Sequence, residues 1–121
     1  MFKLYFIVGL LLISVVGLAQ NKTYKDSKID SVFQQSFSFL DDVIKDSTII
    51  ENEASYKKFN NILDFLEDIS GISSHRKGTF VGLIYEGYNY LKIDLDKWKK
   101  WYIENKSRLR WDNSKGKIIL K

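Results

Sequence analysis

Between residues 29 and 44 the apolar side chains Ile29, Val32, Phe33, Phe37, Leu40, Val43 and Ile44 recur at steps of three and four. Only an α-helix gathers that spacing onto one stripe, and a stripe of this width must be covered by another element. The pattern returns in Phe59, Ile62, Leu63, Leu66 and Ile69, and again in Leu95, Trp98, Trp101, Tyr102, Asn105 and Leu109. The expectation is therefore a mainly α fold, a small single domain of about three helices. Ser27 and Asp30 offer a capping-box-like start for the first helix. The second runs from about Glu53 to Gly71, a natural left-handed stop, and the third begins near Asp94 as N-cap. After the third, Leu109–Trp111 and Lys117–Leu120 flank Asp112-Asn113-Ser114-Lys115-Gly116, which predicts a short C-terminal β-hairpin. Residues 72–93 are the irregular part: Glu86-Gly87 between two aromatic runs fits a hairpin turn, and an irregular loop packed on the helices fits equally.

The chain begins Met1-Phe2-Lys3, followed by an apolar run from Leu4 to Ala19. That layout is a secretory signal, with Gly17 and Ala19 as the small residues preceding a cut after Ala19. Sixteen residues at about 1.5 Å each reach roughly 24 Å, short of a hydrocarbon core of about 30 Å, which argues for cleavage rather than anchoring. Residues 1–19 are thus expected to be removed, 20–28 to form a flexible leader, and 29–121 to form the domain, working in the periplasm or outside the cell with no stable membrane anchor. Cysteine is absent. That excludes disulfides, thiol catalysis and lipid attachment to a cysteine, and it leaves aromatic burial to supply the core.

The net charge of +4 is mild, but it is unevenly spread. Residues 20–70 stand at −4 and residues 71–121 at +7. A basic half of this kind is able to face lipopolysaccharide, an anionic glycan or nucleic acid. The preferred reading is that Lys97, Lys99, Lys100 and Lys106 solvate one helix face and attract the acidic half of the same domain, so that no nucleic-acid partner is expected.

Residues able to carry chemistry are few. His75, the single histidine, lies in Ser73-Ser74-His75-Arg76-Lys77 with no nucleophile or carboxylate at a telling spacing, and reads as a solvated loop residue. One histidine without cysteine does not make a dedicated transition-metal site, and no cofactor motif is present. Acidic pairs at Asp41-Asp42, Glu51/Glu53, Glu67-Asp68 and Asp94/Asp96 are explained by capping and solvation, which leaves a carboxylate hydrolase as a rival reading only. The unusual feature is aromatic: Tyr85, Tyr88 and Tyr90 precede Trp98, Trp101, Tyr102 and Trp111. The tryptophans read as core. The loop tyrosines, with Lys97 and Lys100, are the candidate interaction surface, for a protein partner first and a glycan second.

The segment Asp94-Leu95-Asp96-Lys97-Trp98-Lys99-Lys100-Trp101-Tyr102-Ile103-Glu104-Asn105 resembles the DxxxWxxWxxxN segment of secreted bacterial proteins of the HEAT-like helical-repeat kind. Ile69-Ser70-Gly71-Ile72 is similar to the TGI step preceding it there, and the Gly-Leu-Ala-Gln ending of the signal is similar to those of exported Bacteroidetes proteins. The likeness spans about residues 69–112. It implies a helical scaffold used for protein contacts, with tryptophans between helices and no active site. Without an upstream repeat, it implies a lone terminal unit that folds by itself.

Overall fold

The computed structural model describes residues 27–80 and 82–121; the expected signal, its expected cleavage site and most of the expected leader lie outside them. Helix α1 covers 27–45, so Ser27 and Lys28 are already helical. A 3₁₀ turn, Ser47–Ile50, leads to α2, Glu53–Ser70. A first hairpin pairs β1, Lys77–Thr79, with β2, Gly82–Ile84. Helix α3, Tyr88–Asn105, is followed by a 3₁₀ turn, Lys106–Arg108, and by a second hairpin of β3, Leu109–Asp112, and β4, Lys117–Leu120. The fold is mainly α, as the apolar spacing requires, and no described helix is long and apolar enough to cross a membrane.

Local chemistry sets the boundaries. Asn52 accepts the Ser55 amide at 2.8 Å and so caps α2, and Gly71, at φ 72°, ends it in a conformation that costs glycine nothing. In the C-terminal turn, Asp112 Oδ1 accepts the amides of Ser114 and Lys115 and the Ser114 hydroxyl. Those bonds hold the Asp112 carboxyl below its usual range, the Ser114 hydroxyl contributing most.

The core is the meeting of three stripes. Ile29, Phe33, Phe37, Leu40 and Val43 come from α1, Phe59, Leu63 and Leu66 from α2, and Leu91, Leu95, Trp98 and Tyr102 from α3. Leu109 and Ile118 of the second hairpin close one end. Phe33 is the hub: its ring stacks on Tyr102 at 4.5 Å and lies 5.3 Å from Phe65 and 6.4 Å from Trp101. Tyr102 also donates its hydroxyl to Asp30, so Asp30 ties α1 to α3 instead of reaching back as a cap. Trp98 has no exposed surface and donates Nε1 to the Ile72 carbonyl, while Trp101 and Trp111 are half-buried.

Two expectations are corrected. Helix α3 starts at Tyr88, not near Asp94, because extended Gly87 is its N-cap, and Asp94 lies inside the helix without exposed surface. Leu109 belongs to β3, since α3 ends at Asn105.

Truncating Trp98 removes a filled volume and a hydrogen bond at once. Trp98→Ala is expected to lower stability by about 3–5 kcal/mol, measured by urea denaturation, and Trp98→Phe by clearly less.

Candidate functional site

The segment from Ile72 to Tyr90 is where the molecule carries its unusual chemistry. Gly71 turns the chain back, and Ser74 then donates its amide to Glu67 Oε1 at 2.8 Å. The next residue meets Asp94. The His75 amide donates to Asp94 Oδ2 at 2.7 Å, the His75 ring bonds through Nδ1 to Oδ1, and the Tyr85 hydroxyl donates to Oδ2 at 2.7 Å. A carboxylate taken fully out of water is tolerated only when donors replace its hydration, and these three do so. Burial first, and then the hydrogen bond to Asp94 and its charge, push the Tyr85 hydroxyl well above its ordinary range.

Arg76 forms the second half of the bracket. Its side chain is 2% exposed and reaches Asp64 at 2.9 Å and Glu67 at 3.2 Å, with further bonds to Asn60 and the Ser74 hydroxyl. Part burial pushes the Glu67 carboxyl up, but the bonds from Ser74 and the Arg76 charge together outweigh it and hold that carboxyl below its usual range. The loop is thus bolted to α2 through Arg76 and to α3 through Asp94.

This base presents the first hairpin. Lys77 pairs with Glu86 across its foot at 3.1 Å, and Tyr56 of α2 donates its hydroxyl to the Leu83 carbonyl at 2.9 Å. The turn lies between Thr79 and Gly82, not at Glu86-Gly87. Gly82, at φ 123°, occupies the backbone region that side chains avoid. Phe80 stands at the turn with 107% relative exposure, and Leu83 is 46% exposed. At the foot, His75, Lys77, Glu86 and Tyr90 line a cleft of about 180 Å³, with the His75 and Tyr90 rings 5.6 Å apart.

The residues singled out from sequence fall into two sets. Tyr90, Lys97 and Lys100 sit on one exposed stripe of α3, joined by Ile93, because the steps of three and four bring them to one side. Tyr88 is exposed at the first position of the helix. Tyr85 is turned inward, its ring 6.3 Å from Phe59 and its hydroxyl on Asp94.

His75 is corrected from a solvated loop residue to one fixed by a buried carboxylate, with its ring still part exposed at 43%. Bonding through Nδ1 leaves Nε2 as the outward nitrogen, a position from which an imidazole accepts or donates a hydrogen bond. No serine or threonine hydroxyl among the described residues bonds to it, so the pair lacks the nucleophile that a relay requires. The signal for this cluster was present in the spacing. Leu91, Asp94, Leu95, Trp98 and Tyr102 form one stripe, and an acid on such a stripe demands donors.

Asp94→Ala would strand the Tyr85 hydroxyl and the His75 amide, at an expected cost of about 3 kcal/mol, and Tyr85→Phe alone about 1 kcal/mol. The double variant should cost less than the sum, read from denaturant midpoints in a double-mutant cycle. The raised tyrosines set an alkaline limit. Burial and then the hydrogen bond to Asp30 and its charge push Tyr102 above its ordinary range, as burial and Asp94 do Tyr85. A group raised in the folded state stabilises fully below its unfolded value, about 10, and that contribution is lost as pH rises beyond it. Tyrosinate absorbance should therefore show two tyrosines ionising only as the fold is lost, and Tyr85→Phe should leave one.

Comparison of the chain with protein-family models, with curated proteins and with solved structures yields no match.

Proposed function

We propose that the chain is an exported, non-enzymatic protein-interaction module. Its contact surface runs from the tip of the first hairpin through Tyr90 and Ile93 to Lys97 and Lys100. The observation that carries this reading is Phe80, a whole aromatic side chain held bare at a turn whose foot is fixed by His75, Arg76 and Tyr56. Burying one such ring in a partner is worth about 2–3 kcal/mol, and a pre-ordered base reduces the entropy lost on docking. Leu83, Tyr88, Tyr90 and Ile93, at 37–46% exposure, add apolar surface, and the two lysines favour an acidic rim on the partner.

Catalysis by carboxylates is less well supported. Asp64 and Glu67 are spent on Arg76, Asp94 on its three donors and Asp41 on Lys99 at 3.0 Å, and these acids do not converge on a cleft. A partner protein of the periplasm or cell exterior remains the reading that uses the exposed residues and leaves the buried ones to their structural work.

A photo-crosslinking phenylalanine analogue placed at Phe80 in the native host is expected to trap a discrete envelope protein, whereas the same probe at Asn113 is not. Phe80→Asp should then weaken binding of the purified partner at least about 30-fold, with stability changed by less than about 0.5 kcal/mol. A chain that gives no protein adduct at position 80 but is retained on a polysaccharide column would refute the protein-binding reading in favour of a glycan.

A further inference from the structure

The other end of the molecule is predominantly cationic. Lys106, Arg108, Arg110, Lys115, Lys117 and Lys121 fall in the last sixteen residues against one acid, Asp112. That acid's Oδ1 is already committed to Ser114 and Lys115. Among the described residues none of the six cations is ion-paired, whereas Arg76, Lys77, Lys92, Lys99 and Lys100 all are. The acidic half of the domain therefore neutralises Arg76 and Lys99 by direct pairing and leaves this end with an excess of cations over its nearby acids, Asp30 and Asp112.

The fold draws these cations together. Arg110 opposes Ile119 and Asp112 opposes Lys117, so the alternation of a strand sends Arg110 and Lys117 to the same face of the hairpin. Arg108 accepts the Lys121 amide on its carbonyl at 2.9 Å and returns its Nε to the Lys121 carbonyl at 3.2 Å. Lys106 and Arg110 line one cleft of about 490 Å³ with Ser107, Ile29, Tyr102 and Asp30, whose Oδ1 accepts the Tyr102 hydroxyl. Arg110 spends Nη1 on the Ser107 and Leu109 carbonyls, at 2.8 Å and 2.7 Å, which positions its guanidinium at the cleft.

The apolar residues exposed here are aliphatic. Ile103 is 70% exposed, three residues before Lys106, and Ile119, cross-strand from Arg110 on the cation face of the hairpin, is half-buried. Trp111 is also half-buried, with the Lys28 ammonium 4.4 Å above its ring. Single-stranded nucleic acid is gripped by bare rings interleaved with cations. Cations beside bare aliphatic side chains suit the boundary between anionic headgroups and acyl chains.

We infer that the end of α3 and the second hairpin form a reversible docking surface for an anionic phospholipid bilayer, with Lys106, Arg108, Arg110 and Lys117 on the headgroups and Ile103, flanked by Ile119, entering the interface. This surface begins at Ile103, one helical turn beyond Lys100, and so adjoins the Phe80 surface without resting on it.

The absence of cysteine makes the test clean. A polarity-sensitive fluorophore is attached to Ile103→Cys and, separately, to Phe80→Cys in the full chain, and each is mixed with vesicles of phosphatidylglycerol and phosphatidylcholine or of phosphatidylcholine alone. The label at 103 is expected to shift to the blue with the anionic vesicles only, the label at 80 with neither. Affinity should fall steeply with salt, and about 100-fold when Arg108, Arg110 and Lys117 are all changed to glutamine. Binding that ignores lipid charge or survives the triple change would reflect the apolar residues 4–19 and would overturn the proposal. So would a silent label at 103, or tight binding to an oligonucleotide or heparin with no response to vesicles.

Discussion

The charge of Asp94 organises the half of the molecule that the helices alone would leave undetermined. An acid on the inner stripe of α3 is costly unless donors are brought to it, and all three of its donors come from His75 and Tyr85. Satisfying one side chain therefore pins both ends of the first hairpin's base, His75 and Tyr85, against α3. With that segment placed, the neighbouring Arg76 reaches α2, where Asp64 and Glu67 receive it. A stretch containing Gly78, Gly82 and Gly87 thereby becomes a rigid bracket without a disulfide.

The parts of this fold legible in the sequence are those governed by local periodicity. The stripes of α1 and α2, the stop at Gly71 and the C-terminal hairpin follow from spacing and turn chemistry within a few residues. The start of α3 was obscured because Tyr88, Asn89 and Tyr90 favour strands or loops in isolation, and the buried faces of Leu91 and Asp94 override that preference. The turn of the first hairpin was sought at Gly87, a glycine in ordinary extended backbone, while the constrained one is Gly82. His75 was misread because its partner lies 19 residues away, and only the neighbours of Asp94 on its helix hinted that the acid would need donors.

Charge is used in two ways along the chain. Where an acid from the first half meets a base from the second, as at Arg76 with Asp64 and Glu67 or Lys99 with Asp41, the pairing links elements distant in sequence. Such pairs contribute modestly when exposed and more when the guanidinium is enclosed, as that of Arg76 is. Among the described residues the cations beyond Asn105 form no such ion pair, so part of the asymmetry between the two halves persists on the folded surface.

The stacking of Phe33 on Tyr102 also bears on the order in which the protein can be made. Synthesis proceeds from the N-terminus, yet the ring that covers Phe33 most closely and the hydroxyl that reaches Asp30 both belong to the last third of the chain. While the ribosome is still at work, α1 can pair only with α2, and one side of its apolar stripe stays wet until α3 emerges. The core therefore closes only once α3 is available, and until then the first helix is a surface that a chaperone can hold.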